Sequence, residues 1–209
     1  MNTIITIARQ YGSGGREVGQ KLAQILGVKC YDRSLLSLAA EKSGLSVEAL
    51  QHAEEKAASS LLYTLVMSSN MYHSSVDHFN VPINDKLFCA QSEIIRESAE
   101  KESCVIVGRC ADYVLSEHTK LVKVFLYADF EERVKRICAE HSIPEAEARD
   151  KIVKTDKRRA NYYSYYTGEK WGKADKYDLV IATDRIGVEG AAKMIADYIQ
   201  MLGDMHIAD

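Results

Sequence analysis

Apolar and polar positions follow two different periods along this chain. Five short runs are almost continuously apolar and rich in β-branched residues, a pattern typical of strands buried on both faces of a sheet. Between them lie longer stretches whose apolar residues recur three and four positions apart, which predicts amphipathic helices. The predicted strands are 4–7, 28–31, 104–107, 122–126 and 179–181. The predicted helices are 16–26, 33–42, one that begins at Ser46, 85–101, 130–141, 144 to about 161, and 188–202.

Local signals place several of the helix ends. Gly27 follows the last apolar position of the first helix, and glycine is the residue that most readily ends one. Asp32 and Asp129 can each accept hydrogen bonds from the first turn of the helix that follows. Pro144 suits a first turn, because its missing N–H would have no helical partner there.

Strands that alternate with helical connections predict an α/β fold. Each connection is long enough to hold a helix, so neighbouring strands run parallel and helices cover both faces. The expected architecture is a three-layer α/β/α domain around a five-stranded parallel sheet. Residues 58–84 have little charge and many Ser, Met and Tyr residues, and we interpret them as an excursion from that sheet, helical in part.

The first predicted strand runs directly into a glycine-rich turn and then into a helix. The turn holds Gly12, Gly14 and Gly15, with Ser13 between them. Glycine permits positive φ, so consecutive backbone N–H groups can point at one spot, and the next helix adds its positive dipole end. This arrangement predicts a phosphate-binding turn. The alternative is a plain strand-to-helix turn whose glycines only permit close packing.

The turn departs from the ordinary phosphate-loop sequence Gly-x-x-x-x-Gly-Lys-Ser/Thr. With Gly14 aligned to the second glycine of that motif, Arg9 stands at the first glycine and Gly15 stands at the lysine. Arg16 and Glu17 fall where the hydroxyl residue that holds magnesium belongs. A cation remains at Arg16, one position late, and Arg9 adds a second at the strand end. Since arginine can clamp a phosphate through two N–H groups, phosphate binding is still predicted.

The residues that follow each predicted strand are further candidates for the site. Ligands of parallel α/β sheets bind at the carboxyl ends of the strands. Several of these ends have an arginine, and arginines that converge on one sheet edge indicate an anionic ligand. The strand-end residues are Arg9, Asp32, Arg33, Gly108, Arg109, Asp129, Thr183, Asp184 and Arg185.

A cation-rich helix end and an aromatic segment form a second candidate region. Lys151, Lys154 and Arg158 share one helical face by their spacing, although a solvated face is the alternative. Residues 161–172 then contain four tyrosines, one tryptophan and two glycines, a composition unlike a core element. We interpret 149–173 as a lid over a nucleotide, because lids exclude water from phosphoryl transfer. An aromatic contact in a homo-oligomer is the alternative.

The composition is that of a soluble globular protein. The 209 residues include 46% hydrophobic and 27% charged residues, and the formal net charge is −3. No global basic field exists, so nucleic acid is not expected as a partner. The five cysteines form no Cys-x-x-Cys pair, so we expect reduced core thiols rather than a zinc site or a disulfide framework.

Neither a secretory leader nor a membrane helix is expected. Met1 and Asn2 lead directly into the first strand. The longest uncharged stretch, 57–76, has about the length of a membrane span but contains many Ser, Asn and His residues. We therefore expect a cytoplasmic protein without a membrane partner.

Several segments, taken in order, resemble the cytidylate kinase-like family, a branch of the nucleoside monophosphate kinases. The segments are 9–19, 31–32, 105–109, 125–133 and 156–159, which span most of the chain. The resemblance implies a P-loop kinase-like core at about 1–32, 104–144 and 178–209. It also implies a helical insertion for the nucleoside monophosphate at about 33–85 and a lid at 149–173. The implied reaction is magnesium-dependent transfer of the γ-phosphoryl group of ATP to a small-molecule nucleotide.

The resemblance and the strand-end pattern together give each candidate residue a role. The residues expected to bind the phosphates of ATP are Arg9, Gly12, Ser13, Gly14, Gly15 and Arg16. The residues expected to bind the acceptor are Asp32, Arg33, Arg109 and Asp112. The expected catalytic cations are Arg16, Arg158 and Arg159, which would neutralise the transferring phosphoryl group.

The chain also departs from the family pattern. Val107 and Cys110 replace the two acids that flank Gly-Arg in the family's Asp-Gly-Arg-Asp segment, although Asp112 lies close by. The lysine and the hydroxyl of the glycine turn are missing. Mg²⁺ is expected from the resemblance alone, with Asp32 or Glu17 as candidate ligands, and no diagnostic pattern selects the cytidine base.

Two functions from different classes follow. The first is an ATP-dependent kinase that acts on CMP or a related small acceptor. The second is a nucleotide-binding or regulatory module with little transfer activity, which the missing lysine, hydroxyl and acids favour. A third, an α/β domain that only oligomerises through its aromatic segment, fits the ordered segments least. The kinase is favoured, because an arginine-rich lid serves little purpose in a passive binder.

Overall fold

A five-stranded sheet organises the part of the chain that the computed structural model describes, residues 2–32 and 83–203. Its strands are β1 (Ile4–Arg9), β2 (Lys29–Tyr31), β3 (Cys104–Val107), β4 (Leu121–Tyr127) and β5 (Leu179–Ala182). The strands lie in the order β2-β3-β1-β4-β5, and every neighbouring pair is parallel. The predicted α/β class and parallel sheet are confirmed.

Helices cover both faces of this sheet. They are α1 (Gly15–Leu26), α2 (Ile83–Lys101), α3 (Ala111–Val114), α4 (Phe130–His141), α5 (Glu145–Thr167) and α6 (Thr183–Met201), with a short 3₁₀ turn at Ala174–Lys176. The continuous apolar strands supply both layers, because successive side chains point to opposite faces. Ile5 and Ile7 of β1 pack with α1 and α6, whereas Ile4 and Ile106 pack with α2 and α3.

The strand order opens a crevice between β1 and β3. The chain leaves β1 into α1, which lies on one face of the sheet, and leaves β3 into α3, which lies on the other. Such a divergence separates the two loops at the carboxyl ends of the strands, and ligands of parallel α/β sheets bind in that gap.

Most predicted elements lie within a few residues of the observed ones. Helix 130–141 and the cap at Asp129, which accepts from the N–H groups of Glu131 and Glu132, are confirmed. The predicted end of the helix after Pro144 was wrong, because α5 continues through its tyrosines to Thr167. The last helix begins at Thr183 and is interrupted by Gly187, whose φ of 71° is not helical.

Several predictions concern residues outside the described ones. These are Arg33, the helix 33–42, the helix that begins at Ser46, the excursion before residue 83 and the uncharged stretch 57–76. Within the described ranges, no helix combines the length and the apolar character that a membrane crossing needs.

The five cysteines are free thiols in different environments. Cys104 and Cys110 are buried, Cys30 and Cys138 are half-buried, and Cys89 is exposed, so the expectation of core thiols was wrong for Cys89. Burial raises the pKa of Cys30 to about 11 and that of Cys104 to about 12. These two thiols therefore stay protonated and unreactive at neutral pH.

Candidate functional site

The glycine turn between β1 and α1 has the backbone that its sequence predicts. Gly12 has a φ of 80° and Gly14 a φ of 74°, the left-handed region that strains other residues. A Cβ at Gly12 would lie 3.1 Å from Cβ of Arg133, and a Cβ at Gly14 would lie 2.7 Å from Nη1 of Arg136. The left-handed backbone therefore favours glycine at both positions, and at Gly12 the base of the Arg133 side chain also leaves little room for a side chain.

A hydrogen bond within the turn and another from α6 fix its shape. The buried hydroxyl of Ser13 donates to the carbonyl of Gln10 at 2.9 Å. The carbonyl of Ser13 accepts from Oγ1 of Thr183 at 2.7 Å, and that hydroxyl also lies 3.0 Å from the carbonyl of Tyr127. The Ser13 side chain thus holds the shape of the turn, and its phosphate contact stays a prediction.

Arg9 crosses the crevice between the glycine turn and β3. A Cβ added at Gly15 would lie 2.6 Å from both Cβ and Cγ of Arg9. A Cβ added at Gly108 would lie 2.1 Å from Nη1 of Arg9. The side chain therefore runs past Gly15, the first residue of α1, and ends beside Gly108, the residue that follows β3. The structure thus brings together Arg9, Gly15 and Gly108, which the sequence analysis had treated separately.

Arg16 turns away from the glycine turn toward β2. Its Nε donates to Oδ2 of Asp32 at 2.6 Å, and the Arg16 side chain is 51% exposed. One residue predicted to bind ATP and another predicted to bind the acceptor therefore form an ion pair. The carboxylate of Glu17 lies 3.4 Å from Nη2 of Arg136 on α4.

The turn after β3 holds strained backbone. Gly108, Arg109 and Cys110 have φ values of 82°, 61° and 53°, three consecutive residues in the left-handed region. A residue other than glycine costs roughly 1 to 2 kcal/mol in this conformation, and such strain is concentrated at ligand sites. Arg109 lies in this turn, directly after the Gly108 that the Arg9 guanidinium reaches.

Asp112, predicted to bind the acceptor, is engaged inside the protein. Its side chain is buried and accepts a hydrogen bond from the hydroxyl of Tyr163 at 2.9 Å. Burial raises the pKa of the Asp112 carboxyl, and the hydrogen bond from Tyr163 opposes that shift. Because Tyr163 belongs to α5, the bond joins the short helix α3 to the helix predicted to form the lid.

The two arginines predicted on α5 occupy different environments. Nη1 of Arg159 donates to the carbonyl of Arg9 at 2.7 Å, and its guanidinium lies 5.6 Å from the ring centroid of Tyr11. Burial, together with the nearby positive charges of Arg109 and Arg158, lowers the pKa of Arg159 to about 10. Arg158 is exposed and donates to Oγ1 of Thr155 at 3.2 Å. Among the described contacts, only Arg159 of this pair bonds to the end of β1, directly before the glycine turn.

Asp156 is a site residue that the sequence did not single out. Its Oδ1 accepts from the backbone N–H of Tyr11 at 2.7 Å, and its Oδ2 accepts from Nη1 of Arg133 at 2.6 Å. Arg133 is buried and also donates to the carbonyl of Tyr11 at 3.2 Å. The sequence signal was weak, because Asp156 is one acid among cations and its partner lies 23 residues away.

The aromatic segment packs within the chain. Tyr166 stacks on Phe88 with ring centroids 4.0 Å apart, and its hydroxyl donates to Oδ1 of Asp85 at 3.0 Å. The ring of Trp171 lies edge-on to the ring of Phe125, with the ring centroids 5.3 Å apart. The expectation that this segment is unlike a core element was wrong for Tyr163, which is 5% exposed. The lid and the homo-oligomer contact stay predictions.

Comparison with known proteins decides the family. A sequence model described as the cytidylate kinase-like family matches residues 4–185, nearly the whole chain. The chain belongs to the cytidylate kinase-like family. The resemblance inferred from the sequence is thereby confirmed.

Two curated relatives share this family likeness at low identity. A cytidylate kinase of Sulfurisphaera tokodaii is 24% identical over 95% of this chain and 96% of its own. A cytidylate kinase of Methanopyrus kandleri is 26% identical over 88% of this chain and 86% of its own.

Solved structures confirm the P-loop kinase-like fold. An uncharacterized protein from Eubacterium ventriosum matches with a TM-score of 0.70 and 29% identity, over 95% of this chain and 99% of that one. Shikimate kinase from Bacteroides thetaiotaomicron matches with a TM-score of 0.56 and 15% identity, over 95% of this chain and 98% of that one. At that identity the second likeness concerns the fold alone.

We expect Asp156→Ala to destabilise the protein strongly. Arg133 would stay buried without its carboxylate, and the N–H of Tyr11 would lose its acceptor. Removing one partner of a buried ion pair typically costs about 3 kcal/mol or more. Urea unfolding followed by circular dichroism measures the loss. Lys154→Ala, which breaks an exposed pair with Asp150 on the same helix, should cost below about 1 kcal/mol, and equal losses would contradict the assigned role.

We expect the cost of Tyr163→Phe to depend on pH. The raised pKa of Asp112 means that the folded protein binds a proton there more readily than the unfolded chain, so this residue's contribution to stability falls as pH rises through the folded pKa. Removing the Tyr163 hydroxyl should raise that pKa further. The variant should lose about 2 kcal/mol at neutral pH and less at acidic pH.

Urea unfolding of Tyr163→Phe at both pH values measures this difference. The control is the same substitution in an Asp112→Asn background, where no carboxyl titrates and the cost should be the same at both pH values. A cost that does not vary with pH when Asp112 is present would argue against the coupling.

Proposed function

We propose that this protein is an ATP-dependent kinase that transfers the γ-phosphoryl group to a nucleoside monophosphate, with a CMP-like nucleotide as the preferred acceptor. The observation that supports this most is a meeting of arginines from three elements at the glycine turn. Arg9 lies against Gly15 and Gly108, Arg109 follows Gly108, and Arg159 donates to the Arg9 carbonyl. Membership of the cytidylate kinase-like family supports a nucleotide as the substrate.

This arrangement suits phosphoryl transfer. The transition state spreads charge over the oxygens of the transferred group, so the protein contributes positioning and positive charge rather than a nucleophile. The glycine turn and the N-terminus of α1 would hold the phosphates of ATP. Arg9 and Arg159 would supply charge from β1 and α5, and the exposed Arg158 would reach the transferred group when α5 and the segment after it close as a lid.

The acceptor would bind on the β2 and β3 side of the crevice. Arg109 belongs to the strained turn after β3, and Asp32 follows the neighbouring strand β2 and pairs with Arg16, which supports this assignment. Arg109 would hold the acceptor phosphate. Asp112 would act through structure, since its bond to Tyr163 fixes the helix that directly follows Arg109. The insertion 33–85, with Arg33, would complete the acceptor site.

Magnesium would accompany ATP. Mg²⁺ in kinases is held by one or two carboxylates together with phosphate oxygens and water. Among residues 2–32 and 83–203 no group of three candidate ligands gathers, so the phosphates would supply most of the coordination. Asp32 offers a carboxylate at the same sheet edge, and Glu17 lies in the first turn of α1. The ion would neutralise phosphate charge during transfer.

A second function, a nucleotide-binding protein with weak or no transfer activity, has its own support. Gly15 stands where the ordinary loop has lysine, and Asp32 is committed to Arg16 at 2.6 Å. Nucleotide binding without turnover and without magnesium dependence would identify this function.

ADP release from ATP and Mg²⁺ across a panel of nucleoside monophosphates and small hydroxylated acceptors separates the two. Turnover with CMP or one other nucleotide would establish the kinase and name its acceptor class. If no acceptor in the panel gives ADP release while ATP still raises the melting temperature of the protein, the nucleotide-binding function is favoured.

Two variants should separate acceptor binding from phosphoryl transfer. We expect Arg109→Ala to raise KM for the acceptor by about tenfold or more, because it removes a charged contact to the acceptor phosphate. Arg158→Ala should lower kcat by about 100-fold, because its charge acts mainly on the transition state. Steady-state kinetics measures both effects, with Lys135→Ala, an exposed pair with Glu132, as the control. Unchanged kinetics in both arginine variants would contradict these roles.

A further inference from the structure

We propose that Arg9 replaces the missing phosphate-loop lysine, and that residue 15 is glycine because the base of the Arg9 side chain occupies its side-chain space. The proposal rests on the proposed function for its ligand, the phosphates of ATP. It goes beyond the motif, which shows only that the lysine is absent and that cations lie nearby.

The register of the motif makes the exchange reciprocal. In the ordinary loop the first position is glycine and the seventh is lysine. Here the first position is Arg9 and the seventh is Gly15. The glycine and the cation have therefore exchanged places: the cation is at the end of the strand, and the glycine is at the start of the helix.

The geometry explains why both changes occur together. A Cβ at Gly15 would lie 2.6 Å from Cβ and Cγ of Arg9, and real Cβ atoms essentially never approach another atom closer than 3.0 Å. Those two atoms form the base of the Arg9 side chain, which cannot swing aside as a flexible tip can. Arginine at position 9 therefore excludes every side chain at position 15, and the arginine stem fills the space where a lysine there would begin.

Gly108 accommodates the other end of the same side chain. A Cβ there would lie 2.1 Å from Nη1 and 3.1 Å from Cζ of Arg9, so the guanidinium rests against a residue without a side chain. Gly108 follows β3, the neighbour of β1, and the guanidinium therefore sits in the crevice between the two strands. Phosphate groups in parallel α/β folds bind at that place, beside the first helix N-terminus.

The backbone of Arg9 is also fixed. Nη1 of Arg159 donates to the Arg9 carbonyl at 2.7 Å, and the parallel ladder pairs Arg9 with Leu126 of β4. The backbone of Arg9 therefore does not have to be ordered when the side chain binds an anion. The planar guanidinium can then hold two phosphate oxygens, which a lysine ammonium holds only as a point charge.

The test uses four proteins and one ligand. Isothermal titration with ATP, with and without Mg²⁺, is carried out on the wild type, Arg9→Gly, Gly15→Lys and the double variant. We expect each single substitution to weaken ATP binding by about tenfold or more, the first by losing a charged contact and the second by a clash with the Arg9 stem. The double variant restores the ordinary order of glycine and lysine and should recover most of the affinity.

A further variant separates loss of ATP binding from loss of the fold. Arg9→Met keeps the length of the stem and removes the charge, so it should stay folded and still lose ATP affinity. Circular dichroism confirms the fold of each protein. Wild-type affinity in Arg9→Met, or a double variant no better than the weaker single one, would overturn the proposal.

The outcome can be told apart from that of the kinase assignment. ATP binding that needs Arg9, in a chain that phosphorylates no acceptor, would uphold the Arg9 role and overturn the kinase. If Arg9→Met binds ATP and phosphorylates an acceptor as well as the wild type does, the kinase assignment is upheld and the Arg9 role is overturned. A wild-type chain that binds no ATP would overturn both.

Discussion

The carboxylate of Asp156 holds together the parts of the protein on which the site depends. One of its oxygens binds the backbone of the glycine turn at Tyr11, and the other binds the buried Arg133 on α4. Asp156 itself lies on α5, so one side chain connects the turn to both helices that pack beside it. Arg133 is 7% exposed, and a buried guanidinium without a partner is costly, which makes this bridge a structural requirement. With the turn so fixed, Arg159 is brought from α5 to the end of β1.

The other side of the crevice holds strained backbone. Gly108, Arg109 and Cys110 all have left-handed conformations, and only the first is a glycine. The short helix that follows offsets this strain through packing and through the bond between Asp112 and Tyr163. Since Tyr163 also lies on α5, both sides of the crevice are tied to the same helix. A movement of α5 would therefore affect both sides of the crevice.

The sequence predicted what is local and missed what is distant. Hydrophobic runs located all five strands of the described sheet, and the run is most continuous in β1 and β3, which are buried on both faces. The glycine turn was also readable, since positive φ leaves a signature in residue type. No local pattern could pair Asp156 with Arg133, and none showed that Arg9 lies against Gly15 and Gly108. The end of α5 was missed because tyrosines have weak helix propensity, and here their packing on Phe88 decided the conformation.

Electrostatics at the crevice disfavours the charged form of Arg159. Burial destabilises the charged form of Arg159, and the charges of Arg109 and Arg158 add repulsion, which together lower its pKa to about 10. Asp156 offsets part of this, but its two oxygens already serve Tyr11 and Arg133. Cations that lie close together in a partly desolvated crevice repel each other, and this repulsion costs free energy. A bound polyphosphate would reduce the repulsion. Under the proposed function, these positive charges would already be in position when the phosphates of ATP bind, so the protein would need little reorganisation.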